Sequence, residues 1–293
     1  MSQQQQSGTL TSQRNPDRVA LRKVAVYRAS RRTPLEVDDY VSSERELARY
    51  RQAGYEVSER LFTVYDPGAP KPPNTAELLA LKFGSATPTT RLGLLPPGES
   101  VQALLAAARG WQLEARLGYV PAEPDPEQDT VPLEGFQLPG QNRYAYAADP
   151  GEAARLRARP GWVAQGSVAN VMPIYTVRVS LRAEDGAVLL EPNVSNGVAG
   201  DPAGSFRVGR GRGNVIRFEQ APGSGDWTFS KISMQPEDGA LRMLSFDAQQ
   251  GAVFQDDDDG TQAASYEYSV VLRDASGKTY SHDPRIVNRV RGL

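Results

Sequence analysis

Few residues in this 293-residue chain could support enzymatic chemistry. His282 is the single histidine and cysteine is absent, so a Ser-His-Asp triad would have to use His282. That histidine lies in a Tyr-Ser-His-Asp-Pro segment, which is typical of a surface turn. A zinc site with several His or Cys ligands is excluded by the same composition. We therefore predict that the protein is not an enzyme and needs no cofactor.

The densest acidic segment is a run of four aspartates at residues 256–259. Carboxylate oxygens are the ligands that calcium prefers, but the spacing of an EF-hand loop is absent here. Adjacent carboxylates on an extended chain also repel one another and point in different directions. We predict a solvated loop, and the sequence leaves calcium binding open.

A glycine-arginine segment at residues 209–213 (Gly-Arg-Gly-Arg-Gly) resembles a phosphate-binding loop only superficially. It lacks the Gly-Lys-Ser/Thr ending of a P-loop, and strand-like residues follow it where a dinucleotide site has a helix. The segment predicts a flexible β-turn. Its arginines could still contact an anionic partner.

A short pattern that begins with glycine and an aromatic residue occurs three times in the first 174 residues. The three copies are Gly54-Tyr55, Gly110-Trp111 and Gly161-Trp162. Aliphatic residues recur at fixed distances after each aromatic, and the last of them are Val64, Val120 and Val171. The aromatic faces could stack on sugars, but their repeated place favours packing between a helix and a strand.

The segments around these three copies predict similar units. Each unit has two strands, a short helix that ends at the glycine, and two further short strands. A period near fifty residues is typical of small units that share one core. We therefore predict a pseudo-threefold, β-trefoil-like module with short helices over residues 19–173, made of units 19–67, 74–121 and 130–173.

The remaining chain predicts a different architecture. From Tyr175 onward, several short segments alternate apolar with polar residues and are separated by Gly- and Asp-rich turns. This pattern is typical of an antiparallel, Ig-like β-sandwich, which we place at residues 174–293. Residues 1–18 are polar and rich in glutamine and serine, so we predict a flexible tail there.

The composition limits the classes of partner. The net charge is -2, so the chain lacks the basic excess expected of a nucleic-acid binder. No segment is long and apolar enough for a membrane helix, and the N-terminus has no apolar core of a secretion signal. We expect a cytoplasmic protein, or one that is exported without a cleaved signal.

The N-terminal units resemble a bacterial repeat domain of uncharacterised function with Tyr-Arg and Gly-Trp motifs. Residues 26–28 (Val-Tyr-Arg) and 39–42 match its first two strands in part, and residues 111–120 and 162–171 match its closing segment better. The histidine of the family's second strand is absent from all three units. Three such units that close on themselves would resemble the trefoil-like modules common among sugar-binding lectins.

The C-terminal part resembles a small bacterial β-sandwich domain that ends in an Asp-Pro-x-Ile-x-Asn motif. The matching residues are 283–288, and the strand at 268–272 precedes them. This resemblance implies a fold and no activity.

From these observations we expect a non-catalytic binding protein, with lectin-like recognition of a glycan or another surface ligand. The candidate ligand-binding residues are Tyr27, Arg28, Tyr144 and Tyr146. The alternative is a structural protein that self-associates into homo-oligomers or filaments through its β domains and its N-terminal tail.

Overall fold

A computed structural model describes residues 21–31, 37–84, 89–141, 143–182, 184–193, 204–209, 211–235, 240–258 and 265–288. Within these residues the chain is mainly β, with three short α-helices, which confirms the predicted fold class at this level. The predicted N-terminal tail at residues 1–18 lies outside the described residues.

The first half forms three successive units, each with two strands, a helix and a third strand. The first unit contains β1 (Lys23–Arg31), β2 (Val37–Val41), α1 (Glu44–Gln52) and β3 (Glu56–Tyr65). The second contains β4 (Thr75–Phe83), β5 (Thr89–Leu95), α2 (Val101–Ala107) and β6 (Trp111–Pro121). The third contains β7 (Val131–Leu138), β8 (Arg143–Ala147), α3 (Pro150–Ala158) and β9 (Val163–Val171).

The three units have the same strand order. In each, the first strand lies in the middle and pairs antiparallel with the second and the third: β2-β1-β3, β5-β4-β6 and β8-β7-β9. The first two units join into one sheet where Tyr65 of β3 pairs with Tyr119 of β6. The prediction of two short strands after each helix was wrong, because a single strand follows it. Bulges interrupt the alternation there and made one strand look like two.

Each helix ends two or three residues before the predicted glycine, so the predicted helix ends lie slightly too late in the chain. Gly54, Gly110 and Gly161 have φ values of 78°, 83° and 83°, a left-handed backbone that glycine adopts without steric cost. At the other end, the Ser100 side chain accepts a hydrogen bond from the Ala103 amide and begins α2. Asp149 begins α3 in the same way, by accepting from the Glu152 amide.

One central core contains equivalent residues of all three units. Val64, Val120 and Val171, each nine residues after its corner aromatic, are fully buried there. Corresponding residues of the first strands (Val26, Leu78, Leu133) and of the second strands (Tyr40, Leu92, Tyr146) lie in the same core. The spacing of the repeat therefore reflects shared burial.

Each unit also has a smaller apolar cluster beneath its own helix. Leu47 of α1 packs against Tyr27 and Val41, and Leu156 of α3 packs against Phe136. Leu104 of α2 lies on the corresponding cluster of the second unit. One face of each small sheet thus contacts the central core, and the other is covered by the helix of the same unit.

The second half contains ten strands among the described residues. They are β10 (Tyr175–Leu181), β11 (Val188–Pro192), β12 (Phe206–Val208), β13 (Asn214–Gln220), β14 (Trp227–Gln235), β15 (Leu241–Asp247), β16 (Gly251–Asp256), β17 (Ser265–Asp274), β18 (Thr279–His282) and β19 (Arg285–Asn288). One sheet has the order β11-β10-β13-β16-β15, and the other has β12-β19-β17-β14 with β18 beside β17.

These two sheets fit the description of a β-sandwich. Phe218 and Phe254 of one sheet and Phe229 and Leu272 of the other are buried in one core. Most strand pairs in these sheets are antiparallel, as predicted, but β10 pairs parallel with β13, and β12 pairs parallel with β19. Alternation along a strand indicates which face is buried and does not reveal the direction of its neighbour.

The two halves are in contact through backbone and side-chain hydrogen bonds. The amide of Lys23 in β1 donates to the carbonyl oxygen of Arg212 at 2.8 Å, and Arg217 of β13 donates to the carbonyl oxygen of Arg60 at 3.1 Å. The predicted boundary at residues 173 and 174 remains a prediction. The chain passes from the units to the sandwich between Val171 and Tyr175.

Candidate functional site

Two of the four predicted ligand-binding residues have buried side chains. Tyr27 is 7% exposed and packs beneath α1, and Tyr146 is 4% exposed in the central core. The Tyr146 hydroxyl accepts a hydrogen bond from the Leu92 amide at 2.8 Å. Burial raises the pKa of both phenols above the ordinary tyrosine value. Burial of both side chains disfavours a part in a ligand site, and the expectation that these two residues bind a ligand stays a prediction.

The other two predicted residues lie in different places. Tyr144 is half-buried with its ring edge against Trp111, at a centroid distance of 6.0 Å, and its hydroxyl accepts a hydrogen bond from Gln137 at 3.1 Å. Arg28 lines a cleft between the first and third units. The structure therefore does not bring the four predicted residues together into one site.

The three corner aromatics are half-buried, and each lies beside an arginine. The guanidinium carbon of Arg31 is 5.1 Å from the ring centroid of Tyr55, and that of Arg91 is 4.3 Å from Trp111. At the third corner, the guanidinium carbon of Arg143 lies 5.9 Å from the centroid of Trp162. The corners thus have related surroundings, although the arginines come from different strand positions.

The third corner opens onto the cleft, which has a volume of about 580 Å³. Its walls come from two units. The first unit contributes Arg28, Ser30, Asp38, Glu56 and Val57, and the third contributes Arg143, Ala145, Leu156, Arg159 and Trp162. The lining therefore combines one indole, three aliphatic side chains and several hydrogen-bonding groups. The volume lies in the range that is typical of ligand sites.

A fixed chain of hydrogen bonds connects the two walls. Ser30 donates to one carboxylate oxygen of Asp38 at 2.5 Å, and Arg143 donates to the other at 3.0 Å. The side chains of Asp38 and Arg143 are only 11% and 15% exposed. A charge-assisted bond in such a partly dehydrated place is stronger than one at the open surface. The polar groups are therefore held in place before any ligand arrives.

Strand pairing explains how the first unit supplies its part of this chain. Ser30 of β1 lies directly opposite Asp38 of β2, so the two side chains project from the same face of the sheet. Arg143 is the first residue of β8, where the third unit meets the first. Sequence reasoning missed Asp38 because the partner that fixes it lies in another unit. The alternation around Arg143 was visible, but its partner was not.

The other chemical candidates of the sequence lie elsewhere. His282 is half-buried at the end of β18, opposite Val270. Asp256 is buried in strand β16, so the acidic run is not a uniform solvated loop as predicted, and Asp259 lies outside the described residues. Among the residues that the structure describes, no three His, Cys, Asp or Glu side chains form a group that could hold a metal ion.

The glycine-arginine segment at residues 209–213 packs against the first half. A Cβ atom at Gly211 would lie 2.7 Å from the carbonyl oxygen of Leu21, and one at Gly209 would lie 2.9 Å from the Tyr175 hydroxyl. Its glycines thus permit close backbone approach. The described part of this segment, which excludes Arg210, is therefore packed, and the prediction of a free flexible turn was wrong there.

Comparison with protein-family models and with curated proteins finds no match for this chain. The two resemblances read from the sequence therefore remain predictions. Among the helices of the described residues, none has the length and apolar character needed to cross a membrane.

Proposed function

We propose that this chain is a non-catalytic, lectin-like binding protein, and that the cleft between its first and third units binds a saccharide. A single observation supports the proposal most strongly. The half-buried indole of Trp162 stands beside the fixed Ser30–Asp38–Arg143 hydrogen-bond chain in an open cleft of suitable size.

The chemistry of the lining fits a sugar. An indole contacts the apolar C–H face of a pyranose ring and buries it from water. A carboxylate accepts hydrogen bonds from neighbouring hydroxyl groups, and a guanidinium donates to ring and hydroxyl oxygens in a fixed geometry. Because Asp38 and Arg143 already hold each other, a ligand would not have to order them, which reduces the entropic cost of binding.

A closed arrangement of the three units would explain why a cleft lies at this place. Each corner has a second-strand residue of another unit nearby. Thr90 donates a hydrogen bond to Asp39 beneath the first corner, Tyr144 contacts Trp111 at the second, and Asp38 pairs with Arg143 at the third. We propose that the units close in this cyclic order about a pseudo-threefold axis, as a trefoil-like lectin frame would.

The experiment that tests the binding proposal is a glycan array, followed by calorimetry on any saccharide that binds. Trp162→Ala should abolish binding, since it removes the aromatic ring that lines the cleft. The matched control is Trp111→Ala, which removes the equivalent corner from a place outside the cleft and should leave binding intact. An array without hits, or equal affinity in wild type and Trp162→Ala, would contradict the proposal.

A second candidate function, self-association, is favoured by strand β15. This strand lies at one end of its sheet, as the described residues define it, and most of its side chains are exposed. Met243 and Phe246 are 44% and 42% exposed, yet they lie opposite the buried Phe254 and Ala252 of β16. A bulge between Met243 and Ser245 places both on the inner face, where they form an apolar stripe at the sheet edge.

The occupant that we propose for this edge is a second copy of the chain. If two β15 strands pair antiparallel about a twofold axis, Met243 of one copy can face Phe246 of the other. Arg242 can then face Asp247, so the strand is complementary to itself in both polarity and charge.

Light scattering coupled to size-exclusion chromatography tests this second candidate. The wild type should form a dimer at high concentration, and Phe246→Lys should form a monomer. Leu189→Lys, on β11 at the opposite edge of the same sheet, is the matched control and should remain dimeric. A wild type that stays monomeric, or a Phe246→Lys variant that still dimerises, would exclude this edge as the interface.

A further inference from the structure

Three polar side chains are buried together where the two halves of the chain meet. Lys23 of β1 is 3% exposed, Asn214 of β13 is 2% exposed and Asp256 of β16 is 1% exposed. The Lys23 ammonium nitrogen donates to Oδ1 of Asn214 at 2.7 Å. The other end of the same amide, Nδ2, donates to the Asp256 carboxylate at 3.3 Å. We call these residues the Lys23–Asn214–Asp256 cluster.

The backbone around this cluster holds the three side chains in place. Asn214 and Asp256 lie directly opposite each other in adjacent strands. The amide of Gly213 donates to the Asp256 carbonyl oxygen at 2.7 Å, and the Lys23 amide donates to Arg212. A Cβ atom at Gly213 would collide with the carbonyl oxygen of Lys23, so glycine is required for β1 to approach this closely.

The Asn214 side chain has one fixed orientation. Its Nδ2 also donates to the carbonyl oxygens of Gly209 at 2.6 Å and Gly211 at 3.1 Å, so Oδ1 must be the atom that faces Lys23. The lysine nitrogen therefore lies beside the amide carbonyl, and the carboxylate lies beside the amide nitrogen. In this arrangement the lysine nitrogen can attack the amide carbon, and the carboxylate can give a proton to the amide nitrogen that leaves.

Burial makes the lysine a better nucleophile. Removal from water disfavours the charged ammonium, and an amine without its extra proton has a free electron pair. A buried carboxylate can take that proton, because the neutral pair avoids two buried charges. Holding amine and carbonyl together also replaces a slow encounter by a reaction between neighbouring groups.

We propose that Lys23 and Asn214 form an intramolecular isopeptide bond, with Asp256 as the proton-transfer group. Asp256 takes a proton from the Lys23 ammonium, and the Nζ electron pair then attacks Cγ of Asn214. The carbonyl electrons move to oxygen and return as the bond from Cγ to Nδ2 breaks. Nδ2 leaves as ammonium, because it takes one proton from Nζ and one from Asp256. The products are a secondary amide, an ammonium ion and a carboxylate, so no oxidant or other reactant is needed.

This bond would join the two halves covalently. It would connect the first strand of the first unit to a central strand of the sandwich, across a sequence separation of 191 residues. It would thus hold the N-terminal units and the sandwich together when either is pulled or heated. This role is independent of the saccharide proposal, because the cluster does not line the cleft.

Mass spectrometry of the purified full-length chain tests the proposal directly. Loss of ammonia should lower the intact mass by about 17 Da from the value that the sequence gives. In a tryptic digest, residues 23–28 and 213–217 should appear as one branched peptide, because trypsin does not cleave after an acylated lysine. Recovery of residues 24–28 and 213–217 as separate peptides, with an unreduced mass, would overturn the proposal.

Three variants assign the roles within the reaction. Lys23→Met and Asp256→Asn should each give the unreduced form at their own calculated mass and no branched peptide. Asp257→Asn, which alters the next carboxylate along the chain, should form the branched peptide as the wild type does. A branched peptide in Asp256→Asn at the wild-type yield would overturn the part assigned to that residue. The result for the wild type does not depend on how any variant folds.

Discussion

The corners of the second and third units have the same local backbone and very different surroundings. Trp111 and Trp162 each follow a glycine with φ of 83°. At Trp111, the guanidinium of Arg91 lies 4.3 Å from the ring centroid, and the rings of Phe83 and Tyr144 lie at 5.4 and 6.0 Å. At Trp162, by contrast, the indole borders an open polar cleft.

The difference lies in the residue that another unit supplies. Tyr144 and Asp38 occupy corresponding places on their second strands, opposite Gln137 and Ser30. An aromatic ring at this place covers the second corner. A carboxylate at the same place leaves room at the third and holds Arg143. The backbone is therefore the same at both corners. The side chain at this one place of the second strand, Tyr144 or Asp38, accounts for the difference between a packed and an open corner.

The largest expected effect is on stability. Trp111→Ala removes an indole packed among two rings and an arginine, so we expect a loss of about 3 kcal/mol in the free energy of unfolding. Trp162→Ala should lose only about 1–2 kcal/mol, because the cleft already leaves one side of that indole without close packing. Urea unfolding followed by tryptophan fluorescence measures both. Equal losses would show that the two corners are packed alike.

Sequence reasoning predicted the local backbone of these corners better than the side-chain contacts around them. The spacing of Gly54, Gly110 and Gly161 indicated the helix ends to within three residues, because a left-handed turn and a following strand leave a local signal. The cleft depends on contacts such as Asp38 with Arg143, which lie 105 residues apart and leave no local signal. The burial of Tyr146 was missed for a similar reason, since its acceptor role depends on Leu92 of another unit.

A second expected effect separates Tyr146, in the central core, from Tyr144, which contacts the second corner. Tyr146→Phe leaves the buried Leu92 amide without its acceptor, which should cost about 2 kcal/mol. Tyr144→Phe is the matched control and should cost less, because its hydroxyl accepts from the half-buried Gln137 side chain. Similar losses in chemical denaturation would argue against the assigned burial.

Tyr146→Phe should also change how the free energy of unfolding depends on pH. Burial raises the pKa of Tyr146 above its ordinary value of 10.0, so above that pH the unfolded chain releases a proton that the folded chain keeps. Stability is therefore fully present below pH 10 and falls as the pH rises further. The stability of Tyr146→Phe should fall less steeply than that of the wild type between pH 10 and 12, as measured by thermal unfolding. An unchanged slope would contradict the buried placement.

The corner glycines should respond in a graded order when each is replaced by alanine. The left-handed backbone costs about 1 kcal/mol at all three positions. A Cβ atom at Gly110 would also lie 2.6 Å from Phe83, one at Gly161 would lie 3.0 Å from the end of Leu138, and one at Gly54 would meet nothing within 4 Å. We expect losses of about 2 kcal/mol at Gly110, less at Gly161 and least at Gly54. Melting temperatures in the reverse order would contradict the contacts assigned to the three glycines.

The smallest expected effect tests whether the Asp38 carboxylate at the third corner is held in place before a saccharide binds. Ser30→Ala removes the hydrogen bond to Asp38 and should cost about 1 kcal/mol in stability. Ser167→Ala, which removes a longer bond of 3.3 Å in the third unit, is the control and should cost less. If the fixed carboxylate matters for recognition, Ser30→Ala should also weaken saccharide binding about fivefold, since 1.4 kcal/mol corresponds to tenfold. Unchanged affinity in calorimetry would mean that Arg143 alone positions Asp38, and that the open corner differs from the packed one in space rather than in preorganised chemistry.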